Sequence, residues 1–539
     1  MPFSTGSNSG AADVSAAVQA ELNAGRDVWI SDNYTWRFDN FVTVPAGQKL
    51  FGPGKIVLQA GTSAGITLQN GARLLGVTIA ASGTGYTGSC VNLPAGTSGQ
   101  VVDGCEIVTT GASTTAIQCL SDVATQTFVS DATIRGNVIK AAANANHQVM
   151  LRGALRVRVD GNTVDGGGWG IYGHNFRRCS IVNNTARNQT FVGIGSLSQR
   201  KFNPYVNIGN VISGNNVYNA GEESISLDCT ANVPADWNEN GALPVGTVSS
   251  ATDISTSQTR ITLQETVSVS GVEPASTTTN WANGFMAIVL SGMHAGTCAL
   301  IEECTATTIT VSRSAGFDAT GLASGTKILI TLPYIGNIIS NNTVNSTILG
   351  CWGIRLYGSA WHNIITDNTV QTYRPPVSVT SLVDAVLGTT GSWRPTSWSG
   401  FNTIASNFAY QHRDASEANY GPIYSEIFGT LNIPAGEIPW ESVAYLPKQW
   451  NHMRQVVSGN HVPGTTRAFF QGNRAIINDN VFAGSNGIRV NNSTQNRLAL
   501  NVNATTNNVG IRESEGTGGS HRVLVNATRG IVTGNDYGT

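Results

Sequence analysis

Residues 222–228 read EESISLD and place Glu222, Glu223 and Asp228 in one short alternating stretch. Carboxyls held close together push their pKa values apart, so that one stays protonated while another ionises. Glycosidic hydrolysis needs that division between acid and base or nucleophile. Equivalent positions elsewhere carry different side chains. Aligned on Ile171, Ile225 and Ile354, the residue two before each Ile is Trp169, Glu223 and Trp352. One after it come Tyr172, Ser226 and Arg355, and three after it His174, Asp228 and Tyr357. Aromatic rings stack on the apolar faces of sugars, and Arg pairs with acid groups. Glu222, Glu223 and Asp228 are therefore the expected catalytic carboxylates. Trp169, Tyr172, His174, Trp352, Arg355 and Tyr357 are the expected substrate-binding residues. The same set supports a second chemistry. Removing the C5 proton of a uronic acid needs a base and a group that neutralises the sugar carboxylate, roles open to Tyr357, His174 and Arg355. A one-residue slip of strand register would turn Asp228 inward and shift the search to Asp414, Glu417 and Glu426.

These residues need a scaffold that repeats, and the chain supplies one. Segments 155–172, 206–228 and 335–357 share a phrase: a short apolar strand, Asn-rich polar residues, then a Gly-flanked Ile and a second strand. The phrase recurs on Asn137, Asn162, Asn184, Asn216, Asn342, Asn368, Asn460, Asn480 and Asn503, at spacings of roughly 20–30 residues. The strands that follow start near Met150, Ile171, Ile194, Ile225, Ile354, Ile488 and Ile511. That period predicts a solenoid of coils, none of which buries its apolar face alone. Alternation within each strand points every second residue outward. The Asn residues suit the corners, where they tolerate left-handed backbone and stack their amides. Sequons such as Asn341-Asn342-Thr343 are read as part of these ladders. In 11–24, Val14, Val18 and Leu22 share one helical face and Gly25 ends the run, predicting a cap over the first coil.

Two stretches break the period. Residues 230–333 alternate Thr, Ser and Val and predict an inserted antiparallel β subdomain. Residues 373–452, with Trp393, Trp398, Tyr410, Tyr420, Tyr424, Trp440, Tyr445 and Trp450, predict an aromatic-rich excursion or a subunit contact. The expected organisation is cap and first strands to residue 50, coils over 51–229, the insertion over 230–333, and coils over 334–539 containing the excursion.

Composition narrows the function classes. Of 539 residues, 12% are charged and the net charge is −2, without the basic stripe of a nucleic-acid binder. No apolar run is long enough to span a membrane, and the N-terminus lacks a secretory pattern. The eight Cys form no CxxC and no zinc spacing, so buried reduced thiols and no metal or other cofactor are expected. Cys298 and Cys304 are the pair closest to bridging distance in sequence. With 61 Gly and only 17 Pro, many short strands and tight turns are expected.

The cap helix before VWISDNYTW and coils such as ISGNNVYNAGEESISL resemble the right-handed parallel β-helix of pectate-lyase-like proteins, and more narrowly bacteriophage tailspikes. The resemblance implies an all-β right-handed solenoid, a homotrimer on a phage virion, and a bacterial surface polysaccharide, O-antigen or capsule, as substrate. It implies a depolymerase, with hydrolysis ahead of β-elimination on a uronate-containing glycan. A non-catalytic glycan-binding adhesin and a polyuronate epimerase are the alternatives. No separate virion-attachment or trimerisation domain is legible at either end.

Overall fold

The computed structural model describes residues 10–412 except 229–244, 265–284 and some shorter stretches; beyond 412 it describes 455–463 and further strands up to residue 525. Asn503, Asp414, Glu417, Trp398, Tyr420, Trp440, Tyr445 and Trp450 lie outside the described residues.

The fold is an all-β parallel β-helix with an N-terminal helix and an inserted antiparallel barrel. The chain divides into two units, one of Met1–Ser196, Ile208–Ser226 and Ile338–Cys351, the other of Leu197–Asn207, Leu227–Asn337 and Trp352–Thr539. In the first unit each coil gives one strand to each of three parallel sheets. Arg158–Asp160, Thr163–Asp165 and Trp169–His174 form one such coil. Its first two strands pair residue for residue with Ser180–Val182 and Thr185–Arg187 of the next. Alternation within these strands sends Val159, Val164 and Ile171 into the core, fully buried. The second unit repeats the scheme. Ile364–Thr366 pairs with Thr403–Ala405, and Thr369–Thr372 with Phe408–Gln411.

Corner amides hold the stack. The backbone N–H and the Nδ2 of Asn137 both donate to Oδ1 of Asn162, at 3.0 and 2.8 Å. Asn162 does the same to Asn184, Asn184 to Asn215, and Asn215 to Asn342. Nδ2 of Asn184 also caps the carbonyls of Val159 and Val182. The second unit has two such ladders, Asn337–Asn363–Asn402 and Asn368–Asn407–Asn460–Asn480. Two expectations are corrected here. The ladder member in its coil is Asn215, fully buried, and not Asn216. The left-handed residue is the one before each ladder Asn: Gly136, Gly161, Asn183, Gly214 and Asn341 have positive φ. Gly and Asn fill that position because they adopt it at least steric cost.

The cap is the helix Ser15–Asn23, with Val18 and Leu22 fully buried. Gln19 reaches from it to the first strand of the third sheet. Its Oε1 accepts from the Thr43 N–H at 2.7 Å and its Nε2 donates to the Thr43 carbonyl at 3.0 Å. One side-chain amide thus satisfies a strand edge that would otherwise template further pairing.

The insertion is a closed barrel of six antiparallel strands between Val245 and Thr331. It rests on the fully buried Trp361, which packs with Val245, Met286, Ile288, Leu290 and Leu329. The stretch 373–452, expected to leave the coils, contributes Val377–Ala385, Thr403–Ala405 and Phe408–Gln411 to the parallel sheets. Its ladder residues Asn402 and Asn407 follow Phe401 and Ser406, which carry the left-handed backbone there. The seven described cysteines are free, six of them buried. Cys298 and Cys304 sit at opposite ends of one strand and are not bridged. No described helix is long and apolar enough to cross a membrane.

Candidate functional site

The third sheet carries the residues singled out by chemistry. In the first unit the strands His147–Arg152 and Trp169–His174 pair with His147 opposite Trp169, Met150 opposite Tyr172, and Arg152 opposite His174. Ile171 is in the core, so Tyr172 and His174 project from the outer face, as alternation requires. Both are nevertheless 8% exposed. Gly195, on the next strand of that sheet, makes room for the phenol: a Cβ there would meet the Tyr172 ring at 3.0 Å.

Four rings converge on this face. His147 lies 5.5 Å from Tyr172 and 6.1 Å from His174 between ring centroids, and Tyr172 lies 6.1 Å from His174. His147 also stacks on Trp169 at 4.6 Å with the planes 12° apart. Trp169 in turn stacks on Phe191 of the following coil at 4.6 Å. The spacing matches the separation of neighbouring strands, so one ring per coil forms a continuous pile. Both faces of Trp169 are therefore taken by other rings. Neither face is open for the stacking expected of it.

Burial sets the protonation of this cluster. It holds the His174 imidazole down to about 3, with His147 and Arg152 adding repulsion. The same burial, with Arg152, brings His147 down to about 4. Burial also lowers Arg152 from the usual guanidinium value. Both imidazoles are thus neutral at pH 7 and able to accept a proton.

Of the expected carboxylates, Glu222 and Glu223 belong to the first unit and Asp228 to the second. The backbone N–H of Glu222 donates to the Phe191 carbonyl at 2.9 Å. Glu222 is exposed and Glu223 half-buried. Glu223 opens and Asp228 closes the six-residue strand Glu223–Asp228. Ser226, between them, is 1% exposed and lies on the same outward parity as Asp228.

In the second unit, Trp352–Tyr357 follows the strand of Asp228 in sheet order. The Arg355 guanidinium lies 4.3 Å from the Trp352 ring and 4.0 Å from the Tyr357 ring. Arg374 approaches Trp352 as well, at 6.0 Å. Trp352 is 8% exposed, while Arg355, Tyr357 and Asp228 are half-buried. Rings that clamp a guanidinium fix the plane of its N–H fork, which suits bidentate recognition of a carboxylate. Glu426 stands opposite Thr380 in register, two strands further along this sheet.

His147, Arg152, Phe191 and Arg374 escaped the sequence reading. The signal for His147 was present: the fold aligns Val149, not Met150, with Ile171. Counting from Met150 moved His147 out of the Trp169 column by one residue. Among the described residues, no group of three His, Cys, Asp or Glu is placed to hold a metal ion.

No family model matches this sequence. No curated protein matches it either. Solved structures do resemble it in shape. The A-module of the mannuronan C-5 epimerase AlgE4 from Azotobacter vinelandii is 12% identical, with 98% of each chain covered and a TM-score of 0.43. A tailspike protein of the E. coli bacteriophage HK620, in complex with a pentasaccharide, is 10% identical over 96% of this chain and 75% of that one, with a TM-score of 0.44. The periplasmic alginate epimerase AlgG is 11% identical over 93% and 76%, with a TM-score of 0.39. Likeness at this level is one of architecture, and architecture does not carry function.

Proposed function

We propose that the chain acts on an acidic, uronate-containing polysaccharide, cleaving it by β-elimination. The observation that carries this reading is the meeting of two neutral imidazoles and a phenol on one outer face of the first unit, with Arg152 opposite His174 in register. An imidazole neutral at working pH is a competent base for a sugar C5 proton. A phenol can give a proton to the departing oxygen. A guanidinium offsets the negative charge that builds on the sugar acid as the proton leaves. Within the second unit, the clamped Arg355 is by itself a group suited to binding a carboxylate.

Hydrolysis by Glu223 and Asp228, which open and close one strand, is the alternative chemistry. A homotrimeric, virion-borne spike directed at bacterial surface glycan is the biological setting we propose for the activity. Mass spectrometry of digests of uronate-containing capsules and O-antigens tests the reading. Elimination yields oligosaccharides lighter by one water than hydrolysis products. Products of hydrolytic mass would reject it, as would intact polymer across the panel.

A further inference from the structure

Resting on the elimination reading, we propose that His147 is the base that takes the sugar proton, and that Asn146 is the positioning residue that aims it. Of the two imidazoles His147 is the more open: it is half-buried, while His174 is buried. His147 Nδ1 lies 2.5 Å from Oδ1 of Asn146. An amide oxygen only accepts, so with Oδ1 on this side the hydrogen is assigned to Nδ1 and the lone pair to Nε2. Stacking on Trp169 fixes the plane of the ring. Tautomer and orientation are thus both set before substrate arrives, which is how a third group prepares a catalytic His.

The step balances within the cluster. Nε2 of His147 takes the C5 proton, and the C–H electron pair becomes the C4–C5 double bond. The C4–O bond breaks, and its electrons leave on the glycosidic oxygen. That oxygen takes the hydroxyl proton of Tyr172, whose ring stands 5.5 Å from His147. Return of the proton from His147 to the Tyr172 phenolate restores the resting site. Arg152 on the same strand, and Tyr172 and His174 on the next, are the charged or titratable groups facing His147. On the preceding strand Gln118 occupies the outer position, and Glu222 and Glu223 belong to the coil beyond Phe191. Burial holds the imidazole neutral, and the Arg152 charge adds to it.

Asn146→Asp in the full chain is the discriminating variant. A carboxylate against Nδ1 raises the imidazole pKa. The acid limb of kcat/KM should move up by about one pH unit, together with the His147 titration followed by 15N NMR. Asn146→Ala should lower kcat several-fold with KM little changed. In the wild type the imidazole 15N shifts should report hydrogen on Nδ1 and a bare Nε2 at pH 7. A purely structural Asn146 would move neither the limb nor the tautomer. Hydrogen on Nε2, or an acid limb that stays put while the His147 titration moves, would overturn the assignment and leave the elimination reading standing. A wild-type chain that eliminates no uronate polymer overturns both.

Discussion

The guanidinium of Arg355 is held between the rings of Trp352 and Tyr357, 4.3 Å from one and 4.0 Å from the other. A cation so placed is oriented at little entropic cost, and its fork is ready for a planar acid. Arg355→Lys keeps the charge but loses the fork and the stacking. We expect KM for an acidic polymer to rise about tenfold with kcat within a factor of about three. A carboxyl-reduced polymer should not feel the change. Steady-state kinetics on both polymers checks this, and equal effects on the two would contradict it.

The imidazole cluster makes stability depend on pH. His147 and His174 have folded pKa values of about 4 and about 3, below the ordinary 6.5. The unfolded chain therefore binds more protons than the folded one between those limits. Stability from this source is fully present above about pH 6.5 and is lost as pH falls towards the folded values. Thermal melts should show Tm dropping between pH 7 and pH 4. Gln at both positions, which cannot charge, should flatten that slope.

The Asn ladder should be costly to break. Asn184→Ala leaves the backbone N–H of Asn162 and the carbonyls of Val159 and Val182 without their side-chain partners. The Val182 carbonyl still accepts from the Gly161 N–H, so two groups lose most; at about 1–3 kcal/mol for each buried orphan we expect about 2–6 kcal/mol in all. Asn216→Ala, one residue beyond the ladder and half-buried, should change stability by less than about 0.5 kcal/mol. Denaturant titration of the two variants makes the comparison.

How far these features were legible depends on the period of each. The coils, the cap helix and the antiparallel insertion were readable because apolar alternation, a helical stripe of Val14, Val18 and Leu22, and a change of period leave local marks. Register was not readable to the residue. Two adjacent Asn at 215–216 look equivalent in sequence, and only the left-handed Gly214 decides which enters the stack. The same one-residue ambiguity at Met150 hid His147. Trp169 was legible as a candidate substrate-binding ring, but the rings covering both its faces come from coils about twenty residues away in either direction. Depth was missed as well: Tyr172 and His174 follow the outward alternation and are still buried.

Self-association is the next expectation. In the first unit Ile338 is 36% exposed, and in the second Ile364 is 38% exposed, both at the first position of a first-sheet strand. Apolar side chains kept on an outer sheet face suit contact with further copies of the chain. Light scattering at micromolar concentration should give the mass of a trimer. A monomer there would remove the homotrimer from the account.

Elimination is tested most directly by following new reducing ends and ultraviolet absorbance together while the protein digests a uronate-containing bacterial polysaccharide. Each elimination creates one reducing end and one C4–C5 double bond conjugated to the sugar carboxylate. We predict that the two signals rise in equal molar amounts from the first minutes. Reducing ends that accumulate with no absorbance would contradict the account and return the chemistry to the carboxylates.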